Sequence, residues 1–414
     1  MTVAVFHPGT QHSWQTAQAL QELELLEWYA TSIFYQPDRF PYRLERILPA
    51  GLGRRLHSEF KRFSHPALDP RLVRTVGLAE WGERLAARAG MQALAGKIDR
   101  YGNRQFVRQL ARDIRIEKPF ALWGYSSSSL ETFRLAKTRG RLCVLDRTIG
   151  DFRVYNRLME EVQADYADWF LPTNRMVSAS VIANDQKEYE IADVIVVGSQ
   201  CAAQSVRDQG GSDVARKVRV LPYCFDEALF GSQPAPLPIA KDEPLRFLFV
   251  GQANPRKGFH HLLEAINRIP ASQASLTVVG PMLVPPEKFA PYADRVNYIS
   301  TVARSDIPRI MRDHHVLVFP SYFEGSALSL LEGLASGLAL IQTPASGNGV
   351  TPDTGLLLPR PDTQGLYEAM MTAIEDRGRV DAWRANAQSE ASNYRFANYR
   401  DNIGALLGEL GHGR

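Results

Sequence analysis

Residues 319–337 read FPSYFEGSALSLLEGLASG, and the change of pattern within that stretch decides the fold. The apolar run at 316–319 has the length of a buried strand, and the small and polar residues after it make a loop. From Gly325 or Ser326 onward the apolar residues recur at helical spacing, until Gly337 closes the helix and lets the next strand pack closely. A strand feeding a helix through a short loop is the repeating half of a parallel α/β sheet. The first amides of such a helix have no partner inside it and lie at the positive end of its dipole. Backbone at Gly325, Ser326, Ala327 and Leu328 can therefore hold the oxygens of an anionic ligand. Glu324 stands at the mouth of the helix and Glu332 eight positions on, a separation of about 12 Å along the axis. One elongated ligand can touch both carboxylates through hydroxyls at its two ends while a diphosphate between them faces the amides.

Working outward, residues 247–266 read FLFVGQANPRKGFHHLLEAI, again strand, loop and amphipathic helix, with Arg256 and Lys257 at the helix entrance. Lys offers phosphate oxygens a compact charge and Arg a fork of donors. Apolar runs at 245–250, 275–279, 296–299, 316–319 and 339–342, separated by helical segments, predict a doubly wound sheet. The first half repeats the pattern. A strand at 2–7 runs through Pro8-Gly9-Thr10 into a helix at 14–26, and further strands fall at 120–124, 142–145, 194–198 and 218–222. The stretch 37–112 is rich in helix formers and predicts inserted helices. The proline-rich segment GSQPAPLPIAKDEP at 231–244 makes a poor core and a good linker.

The predicted architecture is α/β: a Rossmann-like domain over 1–230, the linker, a second Rossmann-like domain over 245–395, and a closing helix at 396–414 that crosses back to the first domain. Ligands of doubly wound sheets bind beyond the strand carboxyl ends, so the active site is expected in a cleft between the two domains.

The Glu324 and Glu332 pair, set between strand, small-residue loop and closing glycine, resembles the E-x7-E motif of retaining GT-B glycosyltransferases, specifically glycosyltransferase family 4. In that family the earlier loop reads Gly-Arg followed by a Lys-Gly pair, and both basic residues bind the donor diphosphate. Lys257-Gly258 matches the pair, Gln252 stands where the first basic residue is usual, and the sequence leaves open whether Arg256 replaces its charge. Similarity continues through 193–199, 218–230, 354–357 and 394–399. It is thin before residue 193, as expected where acceptors differ.

The resemblance implies a metal-independent transferase that moves a hexose-like sugar from a nucleoside-diphosphate sugar to a glycan or lipid-linked acceptor hydroxyl, in synthesis of bacterial-type surface polysaccharide or glycolipid. Arg256, Lys257 and Glu324 would serve the chemistry, and Glu332, the 325–328 backbone and Gln252 would bind the donor. Gly9 and Thr10 match a glycine loop near the donor phosphates. Where the family often carries a histidine after a middle strand this chain has Asp146 and Arg147, so these residues or Asp151 would line that side. His7 and His12 lie near the expected cleft, while His260-His261 and His314-His315 read as helix-face neighbours. The competing readings are a catalytically silent GT-B scaffold, suggested by Gln252 and the missing histidine, and a GT-B epimerase or phosphorylase.

Composition narrows the rest. The apolar fraction of 45% and charged fraction of 22% are those of an ordinary globular protein, and 414 residues predict two domains. No apolar run approaches the roughly 20 residues of a spanning helix. The amino terminus MTVAVFHPGT enters a strand directly, without the basic and apolar regions of a secretory signal, which predicts a cytoplasmic protein. Cys143, Cys201 and Cys224 have no metal-ligand spacing, and neither disulfide nor zinc is expected.

The net charge of +3 hides a local surplus: residues 38–118 carry 18 Lys and Arg against 9 Asp and Glu. There Arg43, Arg46, Arg54, Arg55, Lys61 and Arg62 mix with Phe40, Leu52 and Phe60. This composition suits either an anionic membrane surface at the inner face of the membrane or a solvated helical insertion. No recognisable motif accompanies the charge to suggest nucleic acid.

Overall fold

The computed structural model describes residues 1–414 apart from 10–11, 62, 76–80, 82–90, 92–97, 99–104 and 413–414. Thr10 and Arg62 therefore lie outside the described residues.

Among the described residues the strands form two sheets. The first has seven: β1 (Thr2–His7), β2 (Leu26–Thr31), β3 (Val73–Thr75), β4 (Phe120–Tyr125), β5 (Cys143–Arg147), β6 (Val194–Val197) and β7 (Val218–Val220), in spatial order β3-β2-β1-β4-β5-β6-β7. The second has six: β8 (Leu245–Val250), β9 (Ala274–Val279), β10 (Val296–Ile299), β11 (Val316–Phe319), β12 (Ala339–Gln342) and β13 (Gly355–Leu357), in order β10-β9-β8-β11-β12-β13. Every neighbouring pair of the second sheet is parallel. In the first, β1 lies parallel to both β2 and β4, and the β2–β3 and β4–β5 pairs are parallel as well. Each order reverses once, between β1 and β4 and between β8 and β11, which is the doubly wound Rossmann topology.

The chain folds as two compact units. One comprises Met1–Asp146, Ala183–Val196 and Arg400–Arg414; the other comprises Arg147–Ile182 and Val197–Tyr399. The units are divided elsewhere than at the 231–244 linker, since Arg147–Ile182 packs with the second unit and the end of the last helix, Phe396–His412, with the first.

Strand periodicity builds the second unit's core. In β8, Phe247 and Phe249 enter one apolar cluster with Leu262, Ile266 and Leu366, whereas Leu248 between them enters another with Leu330, Leu331 and Leu334. Successive side chains of a strand alternate between the faces of its sheet, so each face carries its own layer of helices and each strand reads as a continuous apolar run.

Five elements differ from the sequence expectation. The helix expected at 14–26 is Ser13–Glu22, and β2 begins at Leu26. The break is made by Glu24 at φ +60°, a conformation that usually announces itself as Gly or Asn. Strand β3 lies inside the stretch read as helical and β13 inside one read as loop, each only three residues long. The helix expected to begin at Gly325 or Ser326 begins at Leu328 with Ala327 as its N-cap. His314 and His315 lie between the helix Ile307–Arg312 and β11 and are not helix-face neighbours.

Candidate active site

The loops after β8 and β11 leave the second sheet at its point of reversal, where doubly wound folds bind ligands. After β8, Asn254 caps a 3-10 turn, Pro255–Lys257, its side-chain oxygen accepting from the Lys257 amide at 3.1 Å. An Asn before a Pro is an N-terminal helix signature. Gly258 then takes φ +65°, and a Cβ there would fall 2.1 Å from the Pro320 carbonyl oxygen. Glycine is thus required where the two loops meet. The Tyr322 amide donates to the Arg256 carbonyl at 2.9 Å and joins the loops again.

This geometry brings Arg256, Lys257 and Glu324 together. The Arg256 guanidinium donates to Glu324 Oε1 and to the Phe323 carbonyl, both at 2.6 Å. Lys257 Nζ lies 2.8 Å from the same Oε1 and 4.2 Å from the centre of the Phe319 ring, and Ser321 Oγ donates to that oxygen at 3.0 Å. Glu324 Oε2 takes no donor from the described residues. Burial alone would raise the Glu324 pKa, but the Lys257 and Arg256 charges outweigh it and hold the carboxyl below its ordinary value. Burial also pushes the Lys257 ammonium down, with Glu324 opposing. Two cations on one carboxylate leave a local surplus of one positive charge.

The approach of Arg147–Ile182 shapes the next residue. A Cβ on Gly325 would stand 1.9 Å from the Thr148 carbonyl oxygen, and the Gly325 carbonyl accepts from Ser199 Oγ at 2.5 Å. The helix Leu328–Ala335 has no side-chain cap, and the Ala327 amide is taken by the Ser346 carbonyl at 2.9 Å. Ser326 Oγ is buried and hydrogen-bonds to nothing among the described residues.

Glu332 lies on the same helix but does not join the cluster. It is 3% exposed and forms an ion pair with Arg304. Burial raises its pKa, against the opposing Arg304 charge. Nothing in the sequence marked Arg304 as its partner.

The remaining candidates are dispersed. Gln252 is exposed on the β8 loop. Gly9 and Asp146 belong to the first unit. Gly9 accepts from Thr31 Oγ1 at 3.2 Å, and buried Asp146 takes the Trp123 indole N–H at 3.3 Å with His12 Nε2 at 3.7 Å. His7 stacks on Tyr125 at 4.9 Å, and burial lowers its pKa to about 4. Arg147 is fully buried in the second unit, donating to the carbonyls of Ile149 at 3.0 Å and Gly150 at 2.8 Å and lying 4.4 Å over the Phe152 ring. It braces the turn that meets Gly325. Asp151 caps the helix Phe152–Tyr166 and pairs with Arg153.

Two doubly wound units of this order form the fold of the GT-B glycosyltransferases, and residues 244–376 match the family model of glycosyl transferases group 1. Among individual proteins, the chain is 28% identical to the lipopolysaccharide glucosyltransferase WaaG of Escherichia coli (strain K12) over 162 residues, 36% of this chain and 43% of that one. It is 28% identical to the D-rhamnosyltransferase WbpZ of Pseudomonas aeruginosa over 196 residues, 43% of this chain and 50% of the relative. The matches thus span about half the length of these curated relatives. Similar solved structures include HepE of Anabaena in complex with UDP, with TM-score 0.60 at 15% identity, covering 99% of this chain and 100% of that one. Sucrose-phosphate synthase of Thermosynechococcus elongatus has TM-score 0.65 at 16% identity and covers 100% of both chains. At these identities the structures establish the fold.

Among the described residues no group of three or more His, Cys, Asp or Glu is placed to hold a metal ion, and no helix is long and apolar enough to cross a membrane.

Proposed function

We propose that the protein is a retaining, metal-independent glycosyltransferase of family 4, which moves a sugar from a nucleoside-diphosphate sugar to the hydroxyl of a glycan or lipid-linked acceptor in surface polysaccharide or glycolipid synthesis. The observation that carries this reading is the convergence of Arg256 and Lys257 on Glu324 at the reversal point of the second sheet. The donor diphosphate meets the surplus positive charge there, and the amides at the start of the Leu328–Ala335 helix complete its cradle. As the glycosidic bond opens, charge grows on the departing diphosphate, and donors fixed in a half-dry site stabilise it. Ser326 Oγ supports the reading as a buried hydroxyl that a ligand oxygen would satisfy. Glu332 receives the ribose hydroxyls and Glu324 Oε2 a hydroxyl of the sugar. The names of the curated relatives, which act on lipopolysaccharide and O-antigen sugars, agree with this substrate class.

The basic segment joins the proposal through its surface. Phe40 is 65% exposed and Ile47 74% exposed, beside Arg43 and Arg46. Apolar side chains among cations suit an anionic lipid surface that carries the acceptor.

A thermal-shift panel of UDP-, GDP-, ADP- and dTDP-sugars, followed by measurement of released nucleoside diphosphate, tests the function. One donor is expected to stabilise the protein and to be turned over. Stabilisation without turnover in the presence of glycan acceptors would favour a silent scaffold, and neither effect would refute the assignment.

A further inference from the structure

A partly buried chain of hydrogen bonds starts from the loop that carries Glu324. The Tyr322 hydroxyl lies 2.7 Å from His261 Nε2, His261 Nδ1 lies 2.8 Å from Thr363 Oγ1, and Thr363 Oγ1 donates to Glu264 Oε2 at 2.6 Å. The direction of the chain follows from its end. The Thr363 hydrogen points at Glu264, so the Thr363 oxygen is left to accept from His261. His261 therefore carries its proton on Nδ1, Nε2 is an acceptor, and the Tyr322 hydroxyl donates to it. Four side chains from the helix Phe259–Asn267, the start of the helix Thr363–Glu375 and the β11 loop are locked in one polarity. His261 is 2% exposed, and the rings of His260, at 4.0 Å, and Tyr166, at 5.2 Å, cover it. A satisfied polar network in a dry setting rigidifies what it touches.

What it touches is the site. Tyr322 stands two residues before Glu324, and its amide holds the Arg256 carbonyl. Arg256 in turn grips Phe323 and Glu324. The side chain of Tyr322 fixes one end of a short arc whose other end is the cluster.

We infer that His261 and Tyr322 are positioning residues, whose hydrogen bond holds the 322–324 turn so that Arg256 and Glu324 keep the register the donor requires. The inference rests on the glycosyltransferase reading for its effect on turnover, and on geometry alone for the coupling between Tyr322 and Arg256.

The test uses the full chain and two independent readouts. In the first, nucleoside diphosphate release is measured with whichever of UDP-, GDP-, ADP- and dTDP-glucose is turned over. Tyr322→Phe is expected to lower kcat about tenfold, as displacement of a reacting group does, with donor KM changed less than about twofold. His261→Asn, which cannot reach Tyr322, should match that loss. His261→Gln, which returns an acceptor oxygen near the place of Nε2, should recover most of it. The Tyr322→Phe/His261→Asn double variant should be no slower than either single one. Wild-type kcat for Tyr322→Phe, failure of His261→Gln to recover, or multiplying losses in the double variant would overturn the proposal. The second readout needs no activity: the melting-temperature losses of Tyr322→Phe and Arg256→Ala should sum to more than the loss in their double variant. Additive losses would overturn the coupling, whereas absent turnover of every sugar nucleotide would refute the glycosyltransferase reading and leave this cycle to decide on the register.

Discussion

Lys257 and Arg256 share one carboxylate oxygen, yet their substitution is expected to have opposite rank in catalysis and in stability. Lys257→Ala removes a buried ammonium that lies 2.8 Å from Glu324 and 4.2 Å over the Phe319 ring. Stripping a buried carboxylate of its sole partner costs about 3–5 kcal/mol. Glu324 keeps Arg256 and Ser321, so the loss here should be nearer 1–2 kcal/mol. Arg256→Ala also orphans the Phe323 carbonyl, which accepts from Arg256 at 2.6 Å, and an unsatisfied buried acceptor adds about 1–3 kcal/mol. Arg256→Ala should therefore melt lower. Under the proposed function catalysis should run the other way, with Lys257 as the cation that meets the departing diphosphate. Its loss should reduce turnover about 100-fold, close to 2.7 kcal/mol of transition-state stabilisation, and Arg256→Ala should cost less. Lys257→Met, which keeps the stem and drops the charge, should be as slow as the alanine variant but melt closer to wild type. The assays are nucleoside diphosphate release across donor concentrations and thermal melts on the same preparations. Near-wild-type turnover of Lys257→Ala would refute the phosphate role of this loop. Equal large losses at both residues would mean that Arg256 has replaced the first cation missing at Gln252, and Gln252→Arg should then relieve the Arg256→Ala defect.

Glu332→Gln should keep the fold, because an amide of the same shape can still accept from Arg304, and should weaken nucleoside diphosphate binding about tenfold, or 1.4 kcal/mol; titration calorimetry showing unchanged affinity would remove the ribose role. Burial lowers the His260 pKa to about 2 and the His261 pKa to about 4, both below the unfolded value of 6.5. Their contribution is present above pH 6.5 and is lost as pH falls, by about 3 kcal/mol per histidine at pH 4. Neither ring nitrogen of His260 is hydrogen-bonded among the described residues, so His260→Phe should flatten the fall in melting temperature between pH 6.5 and 4, and an unchanged slope would count against the buried neutral ring. Liposome binding should rise with anionic lipid and fall with salt if the segment around Arg43 and Arg46 meets membranes; binding that ignores both would leave a solvated face.

The second unit was largely legible because its strands are buried on both faces and read as unbroken apolar runs, as at 245–250 and 316–319. The convergence of Arg256, Lys257 and Glu324 follows from loops that leave adjacent strands, and this much strand order can foretell. Contacts that depend on tertiary approach were hidden. Arg304 reaches Glu332 from 28 residues away, and the segment at Thr148 crosses Gly325 from far earlier in the chain. The His260-His261 pair does lie on a helix, Phe259–Asn267, as read, but the His261 partners Tyr322 and Thr363 were hidden because they are distant in sequence. In the first unit the short strand β3 sat unseen among helix formers, where a three-residue run offers no period to count.

A crystal structure with a bound nucleoside diphosphate would show whether the Arg256, Lys257 and Glu324 cluster is the donor site. The distal phosphate is expected within hydrogen-bond reach, about 3 Å, of Lys257 Nζ and of the first amides of the Leu328–Ala335 helix, with the ribose hydroxyls on Glu332. A nucleotide seated elsewhere in the chain, with Lys257 still closed on Glu324 and Ser326 Oγ still unsatisfied, would contradict it.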